Sequence, residues 1–168
     1  SETIPKKEIE NVENYLFSRK YDGIRVALSV EGKLITRGGV IVKNFKMDGY
    51  KPQFQLDGEL CHRLYESHFD VMKAIDKKQY SDLVFRVFDF FPIKEDEKIP
   101  YIDRFNKLYD TCSNWPRNME LVTQNDFKLG NESLQNQIIE LVNDCAEQDF
   151  EGIVVRSKFS CYNFTGKR

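Results

Sequence analysis

A mixed α and β fold in one domain is predicted for this chain by three observations. The hydrophobic period switches repeatedly between two and about 3.6 residues. One apolar run, LVFRVFDFF, has the length and β-branched or aromatic character of a core strand. No internal repeat, low-complexity tract or linker divides the 168 residues.

The elements follow in order. PKKEIENVENY reads as a short helix, and a strand leads into SRKYDGIR. IRVALSV and LITRGG alternate apolar and polar residues about EGK, the pattern of a hairpin. VIVKNF adds a candidate strand, MDGYKP a turn, and FQLDGELC the next strand. A polar helix is expected over 67–79, ahead of the core strand. PIKEDEKIP, bracketed by Pro92 and Pro100, is a charged loop whose KEDEK reads as a solvated face. YIDRFNKLYDTC carries apolar residues at helical spacing, and Arg104 is expected either on its surface or in a more specific role. MELVTQ is a strand. SLQNQIIELVNDCAEQ is the strongest helix, with Ile138, Leu141, Val142 and Cys145 on one face, and EGIVVRS is the closing strand.

Composition narrows the function. With 40% hydrophobic and 13% aromatic residues the chain can bury a core of its own. Its net charge of -2 argues against a dedicated duplex-binding module, so any contact with nucleic acid must be local. Cys61, Cys112, Cys145 and Cys161 are far apart, and His62 and His68 complete no zinc-ligand spacing; free thiols in a reducing, intracellular compartment are expected. No apolar run reaches the roughly 18 residues of a membrane span, so no membrane partner is expected.

Chemistry concentrates in KYDGIR. A lysine is nucleophilic only when neutral, and nearby cations such as Arg19 and Arg25 favour that form. Asp22 would oppose it by contact, so it suits a ribose hydroxyl or a metal-bound water better. Gly23 permits a tight turn and a close approach. LDGEL places Asp57 and Glu59 on one strand face, two carboxylates that need a metal or hydroxyl donors. EGIVVR puts Glu151 at a strand start and Arg156 five residues later, on the opposite face of a regular strand. In VFDFF, Phe90 and Phe91 suit the core, whereas Phe88 could stack on a planar base. Read alone, each patch also fits a solvated turn or an ordinary strand.

In this order KYDGIR, TRGG, LDGEL, VFDFF and EGIVVR resemble the nucleotidyltransferase motifs of ATP-dependent DNA ligases, from Lys20 to Arg156. The resemblance implies an α+β fold of two antiparallel sheets flanked by helices, related to the ATP-grasp arrangement, with nucleotide between the sheets. It implies that Lys20 attacks the α-phosphorus of ATP to form lysyl-AMP, with Asp22 and Arg25 in the catalytic set. Arg25, Glu59, Phe88, Glu151 and Arg156 would bind nucleotide, with Arg25 and Glu59 at the ribose and Phe88 on adenine. Arg37 would grip the 5′ phosphate of nicked double-stranded DNA. Glu59 and Glu151 would hold Mg2+ or Mn2+, and the enzyme would act as a monomer in DNA repair or replication.

Three departures accompany the resemblance. Ser18 stands where family members often have a glutamate that reads the adenine amino group. The basic motif that follows EGxxxK in the family is absent, with Lys167 at most its beginning. The family's OB-fold domain is expected to lie outside residues 1–168. Residues 1–168 are therefore expected to be one adenylylation domain of a larger ligase, slow to self-adenylylate and weak on nicks. An RNA ligase or a capping guanylyltransferase is the nearer alternative, and a non-catalytic binding module the distant one.

Overall fold

The computed structural model of the chain describes residues 11–45, 47–93 and 98–163. Among the described residues, eight strands form two sheets, and three α-helices complete the architecture. The strands are β1 (Tyr15–Lys20), β2 (Ile24–Leu28), β3 (Leu34–Thr36), β4 (Leu56–His62), β5 (Leu83–Phe90), β6 (Met119–Leu121), β7 (Asn125–Asp126) and β8 (Gly152–Ser157). The helices are α1 (His68–Asp76), α2 (Tyr101–Thr111) and α3 (Leu134–Glu147). The larger sheet has the order β3-β2-β4-β5-β6 and the smaller β7-β1-β8. The expected pair of sheets with flanking helices is what the chain forms. Within it, all pairings are antiparallel except β5 with β6, which run parallel because α2 lies between them as a crossover.

Alternation along β2, β4 and β5 gives the five-stranded sheet one apolar face. Val26, Leu28, Leu56, Leu60, Phe85 and Phe90 point to that side and are buried with Val71 and Ala74 of α1 and Leu108 of α2. Ser67 starts α1, its hydroxyl accepting from the Phe69 N–H at 3.2 Å. Gly58 lies on the same face, where a β-carbon would collide with the Arg86 carbonyl and the Phe85 ring. A smaller cluster of Tyr15, Phe127 and Leu134 joins α3 to the three-stranded sheet.

Several elements differ from the sequence reading. Most of the expected N-terminal helix lies outside the described residues, and its described end, Val12–Asn14, is a single 3-10 turn. Much of KEDEK and Lys167 also lie outside them. VIVKNF makes one isolated bridge, Ile41 with Ile35, in place of a strand. On α3 Val142 is exposed and Gln137 is buried, because the Gln137 amide bonds the backbone of Lys128 in both directions, at 2.8 and 2.9 Å. Arg104 leaves the surface altogether and is 2% exposed.

Candidate active site

The second face of the five-stranded sheet is polar and looks toward the three-stranded sheet. Antiparallel register sets Arg25 opposite Glu59, and Glu59 opposite Arg86. Between Asp57 and Gly58 the β4–β5 pairing slips: Asp57 faces Asp89 and Gly58 faces Val87, which leaves Phe88 as the extra residue of a bulge. The bulge turns both Phe88 and Asp89 to the polar side, while Val87 and Phe90 stay in the core. A signal was present in the sequence, since two residues rather than one separate those core positions.

Lys20 ends β1 opposite Gly152 of β8, and its ammonium forms an ion pair with Glu151 at the entrance of that strand. Gly152 has φ +147°, a conformation that side-chain residues rarely adopt, so the chain can enter β8 directly beside Lys20. Arg19 and Arg25, expected to supply free positive charge near the lysine, are both held by carboxylates. Arg19 is paired with Glu66 and packs over the Phe150 ring. Arg25 makes a two-pronged contact with Asp57, Nε to Oδ1 at 3.0 Å and a terminal nitrogen to Oδ2 at 2.6 Å.

Asp57 is 1% exposed, and the Tyr162 hydroxyl also donates to its Oδ2 at 2.8 Å. The paired carboxylates of LDGEL therefore divide. Asp57 is satisfied by protein groups, and Glu59 is left to the cleft. Burial raises the Glu59 carboxyl to about 7, with Asp57 adding to the rise and Arg25, the Gly23 N–H and Lys20 working against it. Gly23 has an ordinary φ; its lack of a side chain serves close packing on β4, where a β-carbon would strike the Leu60 carbonyl. Asp22 lies 3.6 Å from Nδ1 of His68 at the start of α1.

Phe88 is half-buried, with the guanidinium groups of Arg156 and Arg25 at 4.9 and 5.6 Å from its ring. Arg156 reaches it from β8, where it pairs with Leu16 of β1, so this face of the small sheet points at the polar face of the large one. Arg37 is exposed beyond β3 and lines a cleft of about 320 Å3 with Arg25, Gln55, Asp57, Phe91 and Tyr162. Phe91 is thus a cleft residue rather than a core one, and it meets the Tyr162 ring at 4.9 Å.

The buried pair Arg104–Asp89 was not legible as a pair. Its two bonds, 2.8 and 3.0 Å, fix α2 to the end of β5 just behind Phe88. The same guanidinium donates to the carbonyls of Ile99 and Ser160 at 2.6 and 3.1 Å. Tyr101, one turn earlier, donates to the Phe88 carbonyl at 2.9 Å. A charged residue within the apolar stripe Tyr101–Arg104–Leu108 is the signal that could have found it.

Among the described residues no three His, Cys, Asp or Glu side chains group as a metal cage. Glu59 and Glu151 offer carboxylate oxygens, the donor type that Mg2+ or Mn2+ takes through one or two side chains while keeping water and phosphates as its other ligands. The thiols of Cys61, Cys112, Cys145 and Cys161 are free. His62 is occupied locally, its Nδ1 accepting from the N–H groups of Leu64 and Tyr65.

Solved structures share this fold. The fold is that of the DNA ligases. A structure from a study of Lig E DNA ligases aligns with 94% of this chain at 22% identity and a TM-score of 0.68. The Chlorella virus DNA ligase-adenylate aligns with 96% at 17% identity and a TM-score of 0.64. An archaeal ATP-dependent RNA ligase aligns with 92% at 18% identity and a TM-score of 0.55. The chain spans 60% of the Lig E protein, 59% of the viral ligase and 42% of the RNA ligase. No protein-family model and no curated protein matches the sequence. Among the described residues no helix is long and apolar enough to cross a membrane.

Proposed function

We propose that this chain is the nucleotidyltransferase domain of an ATP-dependent DNA ligase and that Lys20 is its nucleophile. The observation that supports the reading is the run of contacts that links Lys20 with Glu151, Glu59 with Lys20 and Arg25, and Phe88 with Arg25 and Arg156, in a fold shared with ligases. The six come from five strands or strand entrances, spread over more than 130 positions of sequence.

Lys20 must be neutral to attack, and the Glu151 carboxylate in contact with it is the nearest acceptor for the proton. The amine then forms a P–N bond to the α-phosphorus of ATP as the bond to pyrophosphate breaks. Glu59 accepts from a ribose hydroxyl, Phe88 stacks on the base, and Arg156 and Arg25 lie over the same ring to face the phosphates. A divalent ion bound at Glu59 and Glu151 would offset negative charge on the transferring group. Arg37, exposed at the mouth of the 320 Å3 cleft, suits the 5′ phosphate of a nick. AMP passes to that phosphate before the strand is sealed.

Mass spectrometry after incubation with ATP and Mg2+ tests the reading. An AMP-sized adduct on Lys20, reversed by pyrophosphate and absent in Lys20→Ala, is expected. No adduct in the wild-type chain, or an undiminished one in Lys20→Ala, would refute it. The likeness to an archaeal RNA ligase supports a second substrate reading, nicked RNA in place of nicked DNA. Transfer of AMP from the labelled chain to nicked DNA or to nicked RNA separates the two.

A further inference from the structure

The segment between β6 and β7 carries the chain from one sheet to the other. At one end the Val122 N–H donates to the Val87 carbonyl at 2.8 Å, one residue from Phe88. At the other, Asn125 pairs with Phe17 and Asp126 with Leu16. Continuing that register by one residue sets Gln124 across from Ser18. Asn125 shares its side of the strand with Phe127, which packs on Phe17 at 4.8 Å in the α3 cluster. Alternation therefore turns Gln124 the other way, to the face that holds Ser18, Lys20 and Arg156.

Both ends of the Gln124 amide are shut off from solvent, and among the described residues neither Nε2 nor Oε1 has a hydrogen-bond partner. A buried amide without partners is costly, and such a group in a native fold calls for an explanation. Ser18, itself buried, is too short to act as a base-edge reader at the position two before the lysine.

We infer that Gln124 is the base-specificity residue of the site, its amide facing the Watson–Crick edge of adenine. Oε1 accepts from the 6-amino group and Nε2 donates to ring N1, a donor–acceptor pair that an amide can present in one plane. The assignment rests on the adenylyl-transfer reading above. It places the base between the Phe88 ring and the strand that ends at Lys20, and it accounts for adenine recognition with a serine at position 18.

The test compares adduct formation from ATP with that from purine riboside triphosphate, which lacks the 6-amino group, in the wild-type chain and in Gln124→Leu. The wild type is expected to favour ATP by roughly three- to tenfold, the range of one neutral hydrogen bond. Gln124→Leu is expected to label equally with both. Its nucleotide-free melting temperature should equal or exceed that of the wild type, because an unpartnered amide has been removed. Gln124→Glu keeps an acceptor and should keep the preference for ATP, which decides the matter if the leucine variant does not fold. Retention of the full preference in Gln124→Leu, or its loss in Gln124→Glu, would overturn the assignment while leaving the lysyl-AMP reading intact. A wild-type chain that forms no adduct with ATP would overturn both.

Discussion

The two faces of the five-stranded sheet are made by the same strands and do opposite things. On β4, Leu56, Gly58 and Leu60 point to the helices and are sealed among apolar neighbours, whereas Asp57 and Glu59 point to the small sheet. The first face gains from every methylene removed from water. The second buries carboxylates and guanidinium groups, and it is tolerable only because most are matched: Arg25 with Asp57, Arg104 with Asp89, Arg86 with Glu120. Among the described residues Glu59 has no such dedicated ion-pair partner, and burial pushes its carboxyl pKa up. Apolar burial resides on one side of a single sheet, and the matched charges and the candidate chemistry on the other.

Breaking a pair on the polar face should have the largest effect on stability. Arg104→Ala leaves Asp89 buried at 3% exposure with an unmatched charge, and a loss of about 3–5 kcal/mol is expected in denaturant unfolding. Replacing both partners, Arg104→Met with Asp89→Leu, should recover most of that loss, since an apolar pair carries no desolvation penalty. A double variant as unstable as the single one would mean that the bonds to the Ile99 and Ser160 carbonyls, not the charge pair, dominate. On the apolar face, Leu60→Ala is expected to cost about 3 kcal/mol through lost burial and the cavity left behind. No change to a facing polar group should rescue it. The two faces would then differ in kind, one repairable in pairs and the other only by restoring volume.

How much of this was legible follows from which interactions leave a local trace. Alternation marked β2 and β3, a continuous apolar run marked β5, and helical spacing marked α2 and α3, because each depends on neighbours in sequence. Lys20, Glu59 and Glu151 stood out because motifs hold them at fixed spacing. What escaped depends on distant residues. The Arg25–Asp57 contact spans 32 positions and Tyr162–Asp57 spans 105, so nothing near Asp57 revealed that it would be consumed, leaving Glu59 alone in the cleft. Val142 was placed on the buried face of α3 by its apolarity. The helix instead rotates to seat Gln137, whose amide takes the backbone bonds of Lys128 that a strand would otherwise supply. The parallel β5–β6 pairing likewise depends on where α2 docks, which its own spacing does not specify.

The smallest effect is the most informative about the divide between the faces, because it measures the cost of leaving Glu59 unmatched. Its carboxyl titrates near 4.5 in an unfolded chain and near 7 in the folded one. Folding therefore holds the proton more tightly than the unfolded chain does. The associated stability is fully present below pH 4.5, declines as pH rises from there, and is gone above about 7. For a partly exposed group, solvent screening reduces the effect to about 1–2 kcal/mol. Glu59→Gln removes the proton equilibrium while keeping the shape. The nucleotide-free variant should match the wild type near pH 4 and exceed it at pH 8, with a flatter stability curve between. Thermal unfolding of both chains across that range reads the difference directly. Equal slopes for the two would show that Glu59 is ionised in the folded chain at no cost, and that the polar face has satisfied all its charges without waiting for a ligand.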